Sequence, residues 1–163
     1  SDIKWDNCLV CSPPSRRGKP QFKLVDWELA RVGDPCWDIG SAFCGYLNFW
    51  LNSVPMAAGG QPEQYLEMAR YPLDKMQPAM RAFWLAYTQE MGLDAPTANE
   101  WLLRSARYAA ARLVQEVFEQ SQTSARLAGN VPYYLQVSLN MLQRPRDAVL
   151  HLLGIPSLQL SVL

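Results

Sequence analysis

Asp34-Pro35 divides this chain into two parts that obey different rules. An aspartate followed by proline is a helix start: the carboxylate caps the first free N–H groups, and proline suits the first helical position. From there Ile39, Ala42, Phe43, Tyr46, Leu47 and Trp50 recur at helical spacing, which predicts a helix to about Asn52. Its other faces are also largely apolar, so it should be buried or line a pocket. Pro55, Gly59 and Gly60 mark a loop over Ser53–Gln61, and a short helix is expected from Glu63 to Arg70. Asp74 is expected to cap the next helix, with Met80, Phe83, Trp84, Tyr87 and Met91 on its inner side and Gly92 at its end. Thr97 and Glu100 have capping-box spacing and predict a long helix to roughly Arg126, with Leu102, Ala106, Ala109, Leu113 and Val117 along one face. Pro132 predicts a further start, Pro145 a break, and a last short helix should end before Gly154.

Before Asp34 the pattern is that of a hairpin. Cys8-Leu9-Val10-Cys11 and Phe22-Lys23-Leu24-Val25 are short apolar runs around a polar, turn-rich loop, Ser12 to Pro20. The expected fold class is therefore α+β and predominantly helical: one β-hairpin followed by five or six helices. The 163 residues suit a single domain. A chain of this length buries roughly 70% of the surface its unfolded form exposes. With 49% hydrophobic and 18% charged residues, disorder is excluded.

Lys plus Arg and Asp plus Glu number 15 each, so no broad field attracts nucleic acid or an anionic membrane. Neither is expected as a partner, and any charged ligand must be held by local groups. Cys8 and Cys11 form a C-x-x-C pair with no second pair or histidine cluster to complete a zinc site. Four reduced thiols in a cytoplasmic protein are expected. No apolar run approaches the ~18 residues a membrane span needs, and there is no charged-then-apolar leader. The chain opens at Ser1 without Met, as a fragment or processed product would.

Four polar residues surround the hairpin. If the strands pair about a loop centred on Arg16 and Arg17, Leu9 faces Leu24 and Asn7 faces Asp26, with Cβ atoms about 5 Å apart. An amide oxygen and a carboxylate would then meet at one end, a hard-oxygen pair suited to Mg²⁺ with water and phosphate oxygens. Asp2 and Lys4 lie just before the first strand, at the same end. A carboxylate there would accept a hydroxyl proton, and an ammonium would neutralise a transferred phosphoryl group. A slip of one residue would turn the facing partners to opposite sides.

Asp2-Ile3-Lys4-Trp5-Asp6-Asn7 resembles the D-x-K-x-x-N catalytic loop of protein-kinase-like folds. Leu24-Val25-Asp26-Trp27-Glu28-Leu29-Ala30 resembles the metal-binding aspartate segment in the form used by the aminoglycoside phosphotransferase and choline kinase branch. Gly33-Asp34-Pro35-Cys36-Trp37-Asp38-Ile39-Gly40 resembles the segment that follows it there. The likeness is close over residues 1 to about 45; beyond that only helical character agrees. It implies a kinase-like C-terminal lobe forming a single domain, 1–163, with catalytic and metal-binding loops and hairpin in 1–33 and a helical subdomain in 34–163. It implies Asp2 as catalytic base, Lys4 beside the γ-phosphate of ATP, Asn7 and Asp26 as Mg²⁺ ligands, and Asp38 as a buried brace of the catalytic loop. The implied activity is ATP- and Mg²⁺-dependent phosphoryl transfer to a hydroxyl of a small molecule.

The sequence departs from that pattern in places. Only Ser1 precedes the expected base, and Trp27-Glu28 stands where protein kinases carry Phe-Gly. There is no glycine-rich strand, no lysine for the α- and β-phosphates and no glutamate-bearing helix to hold it, and Gly59-Gly60 follows no strand. The chain as given should therefore show little activity alone and would need an N-terminal ATP lobe as partner. The alternative is a non-catalytic kinase-like remnant serving as a binding or scaffold module. A helical domain matching by chance would place Asn7 and Asp26 far apart. Asp34 is expected as a cap, Asp6 as a solvated acid, and Arg104, Arg107 and Arg112 with Tyr108 as a solvated helix face. His151 is expected at a helix end and Cys8 and Cys11 at opposite ends of a strand. In the family it resembles, amino-sugar acceptors meet acidic groups of the helical lobe; Glu63, Glu67, Glu116 and Glu119 are acids of that lobe here, as on any surface helix, and none is assigned.

Overall fold

The computed structural model describes residues 3–12, 19–55, 66–123 and 129–156. Asp2, the expected base, lies outside the described residues, as does Glu63. A 3₁₀ turn, Trp5–Asn7, leads into strand β1, Cys8–Cys11, which pairs antiparallel with β2, Gln21–Leu24. A second 3₁₀ turn, Trp27–Leu29, precedes helix α1, Pro35–Asn52. Helices α2 (Leu73–Glu90), α3 (Ala95–Thr123) and α4 (Val131–Gln143) follow. A short α5, Pro145–Asp147, runs into a π turn, Ala148–Leu152. The described residues are thus predominantly helical with one hairpin.

Helix starts and stops follow local chemistry. The Asp34 carboxylate accepts from the Cys36 N–H at 3.0 Å, with Pro35 at the first position. Gly92 has φ +60 just past α2, where the Leu93 N–H reaches back to the Thr88 carbonyl at 3.0 Å. Pro132 sits in the first turn of α4, and Pro145 follows the break at Arg144. Other expectations need correction. Asp74 lies inside the first turn of α2, not at its cap, and Met91 is half exposed. Asp94, not Thr97, satisfies the start of α3: its Oδ1 accepts from the Thr97 N–H at 2.9 Å, while Glu100 pairs with Arg104. Of the helix expected over 63–70, Leu66 and Glu67 are helical and 63–65 lie outside the described residues.

α1 is the central helix. Its Ile39, Phe43, Leu47 and Leu51 are buried against Met80 and Trp84 of α2, Leu102, Ala106, Ala109 and Leu113 of α3, and Tyr134 and Met141 of α4. Each such large apolar side chain contributes about 1.5–3 kcal/mol by leaving water. α1 and α3 approach closely because small residues meet: a Cβ at Gly40 would lie 2.7 Å from Tyr108 Cβ and 2.8 Å from the Ser105 carbonyl oxygen.

The hairpin register differs by one residue from the sequence expectation. Cys8 pairs with Leu24, Leu9 with Lys23 and Val10 with Phe22. Cys8, Val10, Phe22 and Leu24 consequently share one face and line a cavity of about 540 Å³ against α1 and α2. Leu9, Cys11, Gln21 and Lys23 fall on the other face, so this register keeps Lys23 off the apolar side.

Candidate functional site

The slip removes the direct facing of Asn7 and Asp26, yet the two residues still converge. Asn7 lies opposite Val25, whose N–H donates to the Asn7 carbonyl at 2.9 Å. The chain then turns sharply: Asp26 has φ 64 and ψ 60. It is the single non-glycine in the left-handed region among the described residues. That conformation costs an L-residue roughly 1–2 kcal/mol, least for Asp and Asn. The turn brings Asp26 into a small cleft that Asn7 also lines, with Ile3, Leu24, Val25, Trp27 and Ala30. Asn7 is buried and Asp26 exposed. The Trp27 indole N–H donates to the Leu24 carbonyl at 2.9 Å and pins the far side of the turn.

The cleft has about 20 Å³ of room, enough for one water-sized occupant. One carboxylate and one amide carbonyl at such a point fit a small hard cation that keeps most of its shell as water and phosphate oxygen, as Mg²⁺ does. Among the described residues no group of three or more His, Cys, Asp or Glu is placed to hold a metal, so these two side chains would be the protein's share.

Lys4 does not line that cleft. It is exposed and borders two other cavities. Its carbonyl accepts from the Asn7 N–H at 3.0 Å and from the Cys8 thiol at 3.4 Å, which closes the turn. Asp38, expected to be buried, is half-buried in the first turn of α1, where it lines the 540 Å³ cavity together with Lys4 and Trp5.

Trp5 ties this loop to the helices. Its ring lies edge-on to Tyr46 at 4.8 Å and to Phe49 at 6.0 Å, and its Nε1 rests on the backbone of Gly45. Lys4 and Asn7 are thereby fixed relative to α1.

The second cavity, about 170 Å³, was not visible as a site in the sequence. Lys4, Trp5 and Asp6 meet Ser41, Gly45, Asn48 and Asn52 of α1 and Arg112 and Glu116 of α3 there. The signal was present: positions 41, 45, 48 and 52 form a small, polar stripe at 4-3-4 spacing on an otherwise apolar helix. Arg112 is buried, which corrects the expectation of a solvated arginine face; it lies 5.8 Å over the Trp37 ring. Arg104 bonds Asp34 at 3.3 Å and Tyr108 donates to the same oxygen at 3.2 Å; Arg107 alone of the three arginines is exposed. Burial raises the pKa of Asp34, but hydrogen bonds from Cys36, Arg104 and Tyr108 outweigh it and hold the carboxyl below its ordinary value. His151 lies in the π turn, where its carbonyl accepts from Gln77 at 2.8 Å.

No protein-family model, curated protein or solved structure matches this chain. Among the described residues no helix is long and apolar enough to cross a membrane.

Proposed function

We propose that this chain is the catalytic C-terminal lobe of a phosphotransferase of the aminoglycoside phosphotransferase and choline kinase kind, which transfers the γ-phosphoryl group of ATP to a hydroxyl of a small molecule. The observation that carries the reading is the convergence of Asn7 and Asp26 on one ion-sized cleft, with Asp26 held in a costly left-handed turn. Strain of that kind persists where the surrounding structure over-determines it, and it clusters at functional positions.

In this reading Asn7 and Asp26 hold Mg²⁺, which when bound supplies positive charge for the phosphate oxygens. Asp2 accepts the acceptor hydroxyl's proton, and Lys4 offers an ammonium to the transferred group. Asp38 and Trp5 keep the loop in place. The nucleotide's roof comes from an N-terminal ATP lobe outside these 163 residues.

A second reading, a kinase-like binding module without catalysis, draws on the hairpin. Val10 is 67% and Phe22 59% exposed, beside a large apolar cavity, as a surface covered by a partner would be.

The test is titration of Mg²⁺ with a non-hydrolysable ATP analogue into the chain and into Asp26→Ala, followed by heat of binding. Binding that depends on Mg²⁺ and is lost in the variant supports phosphoryl transfer. Binding of equal strength in both removes Asp26 from the mechanism.

A further inference from the structure

The 170 Å³ cavity between α1 and α3 has an internal wiring that selects its ligand. Arg112 and Glu116, one turn apart on α3, form an ion pair at 3.4 Å, and only 7% of the Arg112 side chain is exposed. The Asn48 amide donates to the other Glu116 oxygen at 3.2 Å. Asn48 Oδ1 in turn accepts from the Tyr134 hydroxyl and from the Asn52 amide, and Asn52 Oδ1 accepts from Asn130 at 2.9 Å. The polar wall is thus held rigid by bonds that run through three amides.

Its charge is balanced. Among the described lining residues, the cations Lys4 and Arg112 match the anions Asp6 and Glu116. A carboxylate with a guanidinium against it offers little net field to an incoming ammonium. What the wall does offer is alternation. Each amide has a second N–H beyond the one used here, and each carboxylate oxygen has a further lone pair. Hydroxyl groups, which donate and accept at once, are the ligand groups that use both. Trp5 and Phe49 add aromatic surface for the apolar face of a ring. At about 170 Å³ the room falls below the roughly 300–1,000 Å³ of ordinary small-molecule pockets, which limits the ligand to one ring rather than an oligosaccharide.

We infer that this cavity binds a single neutral polyhydroxylated ring, a hexose or cyclitol, in preference to an amine-bearing one. Its role as phosphoryl acceptor, beside Lys4 and Asp6, rests on the phosphotransferase reading; the binding itself does not.

Calorimetric titration of the full chain with myo-inositol, D-glucose and D-glucosamine tests this, in mildly acidic buffer where the amine is cationic. The expected result is saturable binding of a neutral probe, with glucosamine no tighter than glucose. Asn52→Leu, at the exposed rim, and Glu116→Gln should each weaken that binding at least tenfold. Circular dichroism reports whether each variant is folded, and Asn52→Leu decides the matter if Glu116→Gln is not. Asp26→Asn should leave sugar affinity unchanged, so failure at the cation cleft and failure at this cavity give different results. No saturable binding of either neutral probe would overturn the inference, as would a tenfold preference for glucosamine or undiminished binding by Asn52→Leu.

Discussion

The indole of Trp5 occupies the space that a side chain at position 45 would need. A Cβ built on Gly45 overlaps Trp5 Nε1 and Cδ1 and lies 3.0 Å from Cε2. Trp5 is the middle of the loop between Lys4 and Asn7, so this contact sets where that loop meets α1. Gly45→Ala should force the ring away. Overpacking of this kind costs about 1–3 kcal/mol, read as a lower urea midpoint, and the displaced Asn7 should bind Mg²⁺ more weakly. Gly33→Ala is the control, because nothing lies within 4 Å of a Cβ there; its unfolding free energy should change by no more than about 0.5 kcal/mol.

The left-handed turn at Asp26 separates stability from function. Glycine adopts φ 64 without steric cost, whereas alanine does not. Asp26→Gly should therefore melt at or slightly above the parent chain, within about 1 kcal/mol, and Asp26→Ala below both. Both variants should lose Mg²⁺ binding, measured by calorimetry. An Asp26→Gly variant that still binds Mg²⁺ would place the cation elsewhere. One markedly less stable than the parent chain would show that the carboxylate, not the backbone, maintains the turn.

What the sequence disclosed and what it hid divide along the range of the interactions. The Asp34 cap, the end at Gly92 and the break before Pro145 depend on residues a few positions apart, and all three were readable. The hairpin register was not. It depends on which strand face turns toward Pro35, Ile39, Phe83 and Tyr87, residues that share a cavity with the hairpin only once the helices are in place. Its consequence is instructive: Asn7 and Asp26 share a cleft because of the turn at Asp26, not because they face each other across the ladder. Arg112 looked like a surface residue because long helices usually carry such charges outward. Here α3 packs against both α1 and α4, and Arg112 has Trp37 and Glu116 to receive it. Asp94 displaced Thr97 as cap by a purely local effect that the T-x-x-E spacing concealed: it stands directly before Ala95-Pro96, where proline favours the first turn.

Asp34 makes the fold sensitive to acid. Hydrogen bonds from Cys36, Arg104 and Tyr108 hold its folded pKa below the ordinary value. The unfolded chain therefore binds the proton more readily, and stability rises with pH across the window between the two values. The contribution is complete above the ordinary aspartate value, about 3.9, and is lost as pH falls through the depressed one. Urea unfolding from about pH 5 downward should show this slope reduced in Asp34→Ala, which also loses the cap, about 0.5–2 kcal/mol. Asp34→Asn should reduce the slope while retaining most of the cap, because its amide oxygen still accepts from Cys36.

Of the four free thiols, Cys8 lines the larger cavity and Cys44 the smaller, so the two report them independently of any ligand. Cys11 is exposed on the solvent side of β1, and Cys8, on the opposite face, is half-buried with its pKa raised by burial. Burial pushes Cys36 up to about 11. Burial, reinforced by the charge of Glu116 and opposed by Arg112, pushes Cys44 up to about 12. Alkylation requires the thiolate, so iodoacetamide should label Cys11 first and Cys8 more slowly. Cys36 and Cys44 should be labelled only after unfolding, with the sites read by peptide mass spectrometry. Cys44 is the informative residue, because it lines the polar cavity beside Asn48 and Glu116. Labelling there at the rate of Cys11 would mean that the wall between α1 and α3 opens in the native chain, and the rigid amide network would then not be what shapes the pocket.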